Sequence, residues 1–443
     1  MFSLCLTLCL RLRLWASALV MFPPLLPLPL LPLLLLSPLP GVSVPPGPPL
    51  AAAGPVLEGG PFVVVWNTPT SRCQQRFSVS LDLEDFHIVQ NREQRFQGQN
   101  MSLFYRDHLG KYPYLSRGGR RVNGGLPQLG HLTSHLSVTV TQVSALLRPD
   151  FSGLAVIDWE EWRPLWEENF GQKTVYRRLS EQLVRQRRPD LSDRDAAALA
   201  RKGFEESAQR FMGETLRLAV KHRPNGLWGF YGFPACFNKH KRKTDQFYTG
   251  RCHRGTRQKN QRLRWLWRRS TALYPSVYLP LRLAGSADAA LMVRHRVLEA
   301  LRVASAWRPH PNHSTPVFPY NRLAFTHTLS FLNKTDLENT LGESAALGVA
   351  GVVLWGEVEF AKSKDQCVLL RDYIHTVLGP FIRSLRSDAC RCSIRLCHGN
   401  GRCARRRLRS GHMFSSASDE HLQEHFMCRC YSGWTGHGCQ HKE

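Results

Sequence analysis

The chain is 443 residues long, with 59 Lys and Arg against 34 Asp and Glu, a formal net charge of +25. That length holds one large domain of barrel size plus a small module, and it excludes a mini-protein held together by cross-links alone. A charge of that sign and size points to a polyanionic partner, of which nucleic acid is the usual one.

Residues 1–53 read as a leader and not as part of the fold. Arg11 and Arg13 precede a Leu/Pro-rich run ending near Pro40, and the small residues Ala51, Ala52 and Ala53 follow, the pattern of a long secretory signal. Prolines at 23, 24, 27, 29 and 32 count against a stable membrane helix, so no firm membrane anchor is expected; an anchored leader is the alternative. Of 13 cysteines, Cys5 and Cys9 lie in the leader and eleven remain, an odd number for a chain whose route favours disulfides. Asn100, Asn312 and Asn333 head glycosylation triplets that fit the same route, with an extracellular or lysosomal destination. On that route the polyanion is an acidic glycan or an anionic membrane face, and no nucleic-acid partner is expected.

In chain order, residues 61–66 form a short apolar strand, and residues 101–105 a second, with Tyr112 and Tyr114 in the loop beyond. The segment 153–164 is the most informative. Its run Leu154–Ile157 is apolar on both faces, as in a strand buried in a parallel sheet, and ends abruptly in Asp158 and Glu160. If the strand reaches Glu160, both acids share one face with Cα atoms roughly 6.5 Å apart. They then cannot ionise independently, and one of them is raised towards a proton donor near neutral pH, which cleavage of a glycosidic bond needs. Asp82/Glu84 and Glu357/Glu359 have the same spacing, so spacing alone decides nothing.

Helices are expected over residues 174–188, from a Ser192 cap to about His222, over 287–304 and over 335–347. Between them lie the strand-like runs 226–234, 276–280, 316–320 and 351–355, each apolar and closed by an aromatic residue or a proline. Strand alternating with helix implies a parallel sheet, and six or seven such units close most economically into a barrel whose strand C-termini share one mouth. Asp158, Glu160, Tyr231, Tyr278 and Trp355 would line it, and aromatic faces there suit sugar rings. Basic residues cluster at 239–243 and again at 257–269, either steering a polyanion or forming a solvated face.

From Cys392 the composition changes, with Cys397, Cys403, Cys428, Cys430 and Cys439 packed into about fifty residues. Cys-x-Cys followed by Gly-Trp and a last cysteine resembles the end of an epidermal-growth-factor-like module; a zinc knuckle is the alternative. The expected organisation is therefore a leader at 1–53, an α/β, distorted (β/α) TIM-like barrel at 54–389, and a small disulfide-rich EGF-like module at 390–443.

Four segments carry a family resemblance: Ala155-Val-Ile-Asp-Trp-Glu-x-Trp-Arg-Pro164, Trp228-Gly-Phe-Tyr-Gly-Phe-Pro-x-Cys236, Ala272-Leu-Tyr-Pro-Ser-x-Tyr278 and Gly351-Val-Val-Leu-Trp355. In that order they resemble the vertebrate-type hyaluronidases of glycoside hydrolase family 56 over nearly the whole mature length. The resemblance implies an endo-β-N-acetylhexosaminidase acting on β-1,4 linkages of hyaluronan, and possible action on chondroitin, by a retaining, substrate-assisted route. It makes Glu160 the general acid/base and Asp158 its partner, with Tyr231, Tyr278 and Trp355 shaping the pocket and Tyr105 and Arg296 contributing. It pairs Cys73 with Cys367, Cys236 with Cys252, Cys392 with Cys403, Cys397 with Cys428 and Cys430 with Cys439, leaving Cys390 over. No cofactor and no metal is expected, and a monomer is.

The chain departs from the family in two places, with Ala235 and Thr326 where many members carry acids. Fewer acids would let the Glu160 proton leave at lower pH, which predicts weak activity confined to acid. The reading from another class is a secreted glycan-binding or adhesion protein on the same barrel, which need not keep both Asp158 and Glu160.

Overall fold

The computed structural model describes residues 51–57, 60–238, 247–414 and 418–443. The leader up to residue 50 and the basic run at 239–243 lie outside the described residues.

Six named strands build the barrel: β1 (Val63–Asn67), β2 (Met101–Tyr105), β3 (Leu154–Asp158), β4 (Leu227–Phe230), β5 (Tyr320–Arg322) and β6 (Gly351–Trp355). All pair in parallel, β2-β3-β4 in one sheet and β1-β6-β5 in another. Single parallel bridges Tyr231↔Tyr274, Leu273↔Val317 and Ser276↔Tyr320 carry the pairing from β4 round to β5. On the other side Val89 bridges Val65 of β1. The Asn91 amide then closes the ring on β2, donating to the Met101 carbonyl at 2.7 Å and accepting from its N–H at 3.1 Å. The gaps in the sheet are the distortion of this (β/α) barrel.

The two-faced apolar strands follow from this closure. Leu154 and Val156 point inward to an interior shared with Val63, Val65, Met101, Leu103 and Val353. Ala155 and Ile157 point outward, under the helices. Two glycines mark where backbones come too close for a side chain: a Cβ at Gly229 would lie 2.2 Å from the Ala272 carbonyl oxygen, and one at Gly351 2.4 Å from that of Val63.

The long helix Asp193–His222 starts at the Ser192 cap, whose hydroxyl accepts from the Asp195 N–H at 3.2 Å. Its stripe Phe204, Ala208, Phe211, Thr215 and Ala219 is buried as core. Two expected strands move. Residues 276–280 form no named strand, because Pro275 and Pro280 supply no N–H and the pairing falls back to Leu273, Tyr274 and Ser276. Likewise the run 316–320 pairs mainly as Tyr320–Arg322, beyond Pro316 and Pro319. The helix expected over 335–347 is interrupted by a π-turn at Glu338–Gly342, between Lys334–Leu337 and Glu343–Ala346.

The helix Gly379–Cys397 runs straight through residues 389/390, where a boundary is expected. Disulfides Cys392–Cys403 and Cys397–Cys428 tie its end to the antiparallel pair β7 (Gly401–Arg405) and β8 (Phe426–Cys430), and Cys430–Cys439 closes the tail. Cys73–Cys367 and Cys236–Cys252 brace the barrel, while Cys390 is free and exposed. A buried ion triad joins module to barrel. The fully buried Glu343 carboxylate receives Arg405 Nη1 and Nη2 at 2.9 Å each and Arg294 Nε at 2.6 Å.

Candidate active site

Register brings the strand ends level, because Tyr105 pairs with Asp158 across β2 and β3, and Asn67 with Trp355 across β1 and β6. Strand β3 stops at Asp158, two residues short of the alternation expected from the sequence. Trp159 then turns outward and stacks on Tyr112 at 4.5 Å, and Trp162 stacks on the other side of the turn at 5.1 Å while its indole N–H donates to the Pro113 carbonyl at 2.8 Å. These two anchors leave Glu160 and Glu161 at the mouth. Tyr105, Arg106, Asp107, Asp158, Glu160 and Glu161 line a cleft of about 300 Å³ there.

Burial holds the Asp158 carboxyl well above the usual carboxylate range, with the nearby Glu160 and Glu161 charges adding to the effect and Lys173 opposing it. Its Oδ1 is buried and has no hydrogen-bond partner among the described residues. Lys173 donates its Nζ to the Glu160 carbonyl oxygen, and burial lowers its own pKa, with Arg163 contributing. Arg106 pairs with Glu161 and lies 4.8 Å above the Tyr114 ring. Neither Lys173 nor Arg106 stands out in the sequence. Lys173 arrives from a short turn thirteen residues beyond Glu160, and only its position next to Tyr105 could have drawn attention to Arg106.

Beside Tyr105, which hydrogen-bonds Trp355, stands a group of aromatic rings that lies outside the six residues lining this cleft. Tyr278 stacks on Trp355 at 5.7 Å with 19° between planes, and Tyr231 lies 6.0 Å from Tyr278 and 5.0 Å from Tyr320 beneath. Burial raises the Tyr231 and Tyr278 hydroxyls well above the ordinary phenol range, Glu160 and Asp158 adding to the first and Asp158 to the second. Tyr105 is pushed up to about 12, mainly by burial. These hydroxyls therefore remain neutral donors at any physiological pH. Arg296, like Tyr231, Tyr278 and Trp355, is not among the residues lining the cleft, and it supports this aromatic group from behind. Its buried guanidinium donates to Asn238 Oδ1 at 2.8 Å and to the Ser276 carbonyl at 2.7 Å, and Ser276 in turn takes the Tyr231 hydroxyl at 3.3 Å.

One acid of each rival pair is engaged elsewhere. Glu357 is ion-paired with Arg322, and Asp82 faces His375 at 3.4 Å. Ala235 and Thr326 are half-buried and lie outside the ring of residues lining the cleft. In the basic segment 257–269, Arg262 faces Glu205 at 2.7 Å and Lys259 faces Glu168 at 3.9 Å, while Arg257, Arg264 and Arg268 are exposed. Asn100, Asn312 and Asn333 are exposed; Asn333 also caps the helix Lys334–Leu337 through its side-chain oxygen. Among the described residues no helix is long and apolar enough to cross a membrane.

A parallel barrel with two carboxyls and a wall of aromatic rings at its strand C-termini defines the chain as a glycoside hydrolase. Residues 51–421 match the hyaluronidase family, glycoside hydrolase family 56, and the chain belongs to it. It is 44% identical over 389 residues to human hyaluronidase-3, covering 87% of this chain and 92% of that one. To human hyaluronidase-1 it is 42% identical over 414 residues, covering 88% and 94%. Bee venom hyaluronidase in complex with a hyaluronic acid tetramer has a similar structure, with TM-score 0.66 and 32% identity over 73% of this chain and 98% of that one.

Proposed function

We propose that the chain is an endo-β-N-acetylhexosaminidase that hydrolyses the β-1,4 linkages of hyaluronan with retention, the substrate's own acetamide acting as nucleophile. The observation that carries this reading is the buried, unpartnered Asp158 Oδ1 beside Glu160 in one cleft. Both acids rise from one strand end, so they lie on one side of a bound sugar and neither is placed to attack C1 from the opposite face. The acetamido oxygen can do so. Glu160 protonates the leaving glycosidic oxygen as the acetamido oxygen closes on C1, giving an oxazolinium-like ring. Asp158, its orphan oxygen turned to the acetamido N–H, holds the amide and faces the positive charge that develops. Tyr278, neutral and near enough to Asp158 to feel its charge, orients the same group, and Tyr231 and Trp355 complete the wall on which the ring rests. Water, deprotonated by Glu160, then opens the ring at C1 and restores the acid.

The raised Asp158 supports this sequence. Two neighbouring acids in a buried setting retain a proton where separate carboxyls would lose it. We also place the protein in the secretory pathway, extracellular or lysosomal, as a monomer without a firm membrane anchor; its five disulfides and exposed glycosylation triplets support that route. The test is degradation of hyaluronan and of chondroitin by the purified chain across acid and neutral pH. Even-numbered products with N-acetylglucosamine at the reducing end support the reading; binding of hyaluronan without cleavage at any pH replaces it with a glycan-binding role.

A further inference from the structure

Far along the chain from the catalytic strands, the EGF-like module gathers three histidines that the hydrolase chemistry does not use. His421 and His425 stand one turn apart on one face of the helix Asp419–His425, which begins at the Ser418 cap. His412 reaches them from the loop that follows β7. One ring nitrogen from each can be chosen so that all three lie within 4.8 Å of one another, and all three side chains are half-buried. From these observations we propose that His412, His421 and His425 form a binding site for a divalent transition-metal ion of the zinc class.

Both sides of the site are held by the backbone. Arg405, fixed in the core by Glu343, donates Nε to the His412 carbonyl at 2.8 Å. The Arg406 N–H donates to the His425 carbonyl, also at 2.8 Å. The loop after β7 and the end of the helix are thus fixed at His412 and His425. The rings of His412 and His425 lie face to face, with centroids 3.6 Å apart and 6° between planes, and His421 meets each of them edge-on. Stacked rings point their lone pairs in parallel, so binding requires each to turn about its Cβ–Cγ bond until a nitrogen faces the shared centre. Glu424, 3.5 Å from His425 Nε2, offers either an orienting partner or a fourth ligand; water is the other candidate for that position.

The donor set selects the ion. Imidazole nitrogens suit zinc, copper and nickel, whereas calcium and magnesium need oxygen ligands that the three histidines do not supply. A metal there would clip the loop at His412 to the helix, adding a cross-link to a module otherwise held by its disulfides.

The test uses the full chain, secreted without a polyhistidine tag, stripped with a chelator and titrated with Zn²⁺ by calorimetry, with Co²⁺ as a visible-absorption probe. One equivalent should bind and the melting temperature should rise. His421→Gln and His425→Gln should each weaken binding by at least about tenfold, at the low end of what loss of even an orienting partner costs such sites. The variants' melting temperatures in chelator should match wild type, and hydrolysis by the stripped enzyme should be unchanged, since the site is separate from the cleft. Absence of stoichiometric binding overturns the proposal. So does equal binding by His412→Gln/His421→Gln, which would put the ion elsewhere.

Discussion

Asp158→Asn should move stability and activity in opposite directions. The carboxyl is raised by burial and by Glu160 and Glu161, and its Oδ1 has no partner, so the folded state disfavours its ionised form. A group whose folded pKa lies above its unfolded value makes the native state the tighter proton binder, and stability then falls as pH rises. Wild type should therefore lose stability from about pH 4, where a free Asp begins to ionise, up through the folded value. Asn carries no charge to lose, so the variant should equal wild type in acid and exceed it at neutral pH. Asn keeps the unpartnered oxygen and escapes only the cost of ionising it, so the gain is the linkage contribution of the raised carboxyl, absent in acid and growing with pH up to the folded value. Activity should drop by about 10²–10³, the usual loss when one preorganised group facing transition-state charge is removed. Urea melts at pH 3.5, 5 and 7 beside hyaluronan turnover measure both. A variant less stable than wild type at every pH would refute the reasoning, because Asp158 would then be a supporting residue and not a strained one.

Glu343→Gln leaves the guanidinia of Arg294 and Arg405 facing each other without a counter-charge, and breaking a buried pair in this way costs about 3–5 kcal/mol; a loss under about 1 kcal/mol in a urea melt would mean that the triad contributes little. Ala235→Asp should leave the pH profile of kcat/KM superimposable on wild type, since Glu161 already supplies a third carboxylate beside Asp158; an extension towards neutral pH would show coupling to Glu160. Cys390 should take up one equivalent of thiol reagent without reduction, because the other ten cysteines of the described residues are in disulfides, whereas no labelling of the native chain would indicate an intermolecular bridge.

What was legible in the sequence is what strand alternation and capping express locally. The run Leu154–Ile157 announced burial on two faces, and the structure puts Leu154 and Val156 in the barrel and Ala155 and Ile157 outside it. Ser192 announced the start of the long helix. Strand ends were less legible. The alternation suggested a strand through Glu160, yet Trp159 leaves the sheet to stack on Tyr112, a contact between residues 47 positions apart that no local pattern encodes. Prolines displaced the pairing at 276–280 for a reason that was in the sequence but outweighed by its aromatics. The polar parts of the site depend on tertiary approach. Lys173 reaches Glu160 from a turn, Arg296 acts through Ser276 from a helix, and the three histidines meet only when helix and loop fold together.

The central claim is that Glu160 moves the proton in each half of the reaction while Asp158 and the aromatic wall hold the sugar. Glu160→Gln tests it most directly, because the amide keeps the shape of the acid and cannot donate its proton. Measured side by side on hyaluronan, turnover should fall by about 10²–10⁴, the usual contribution of a general acid/base, while affinity for hyaluronan oligosaccharides stays within a few-fold of wild type. Turnover near wild type would contradict the account, and an equal loss in Glu357→Gln with Glu160→Gln still active would put the chemistry on the wrong strand.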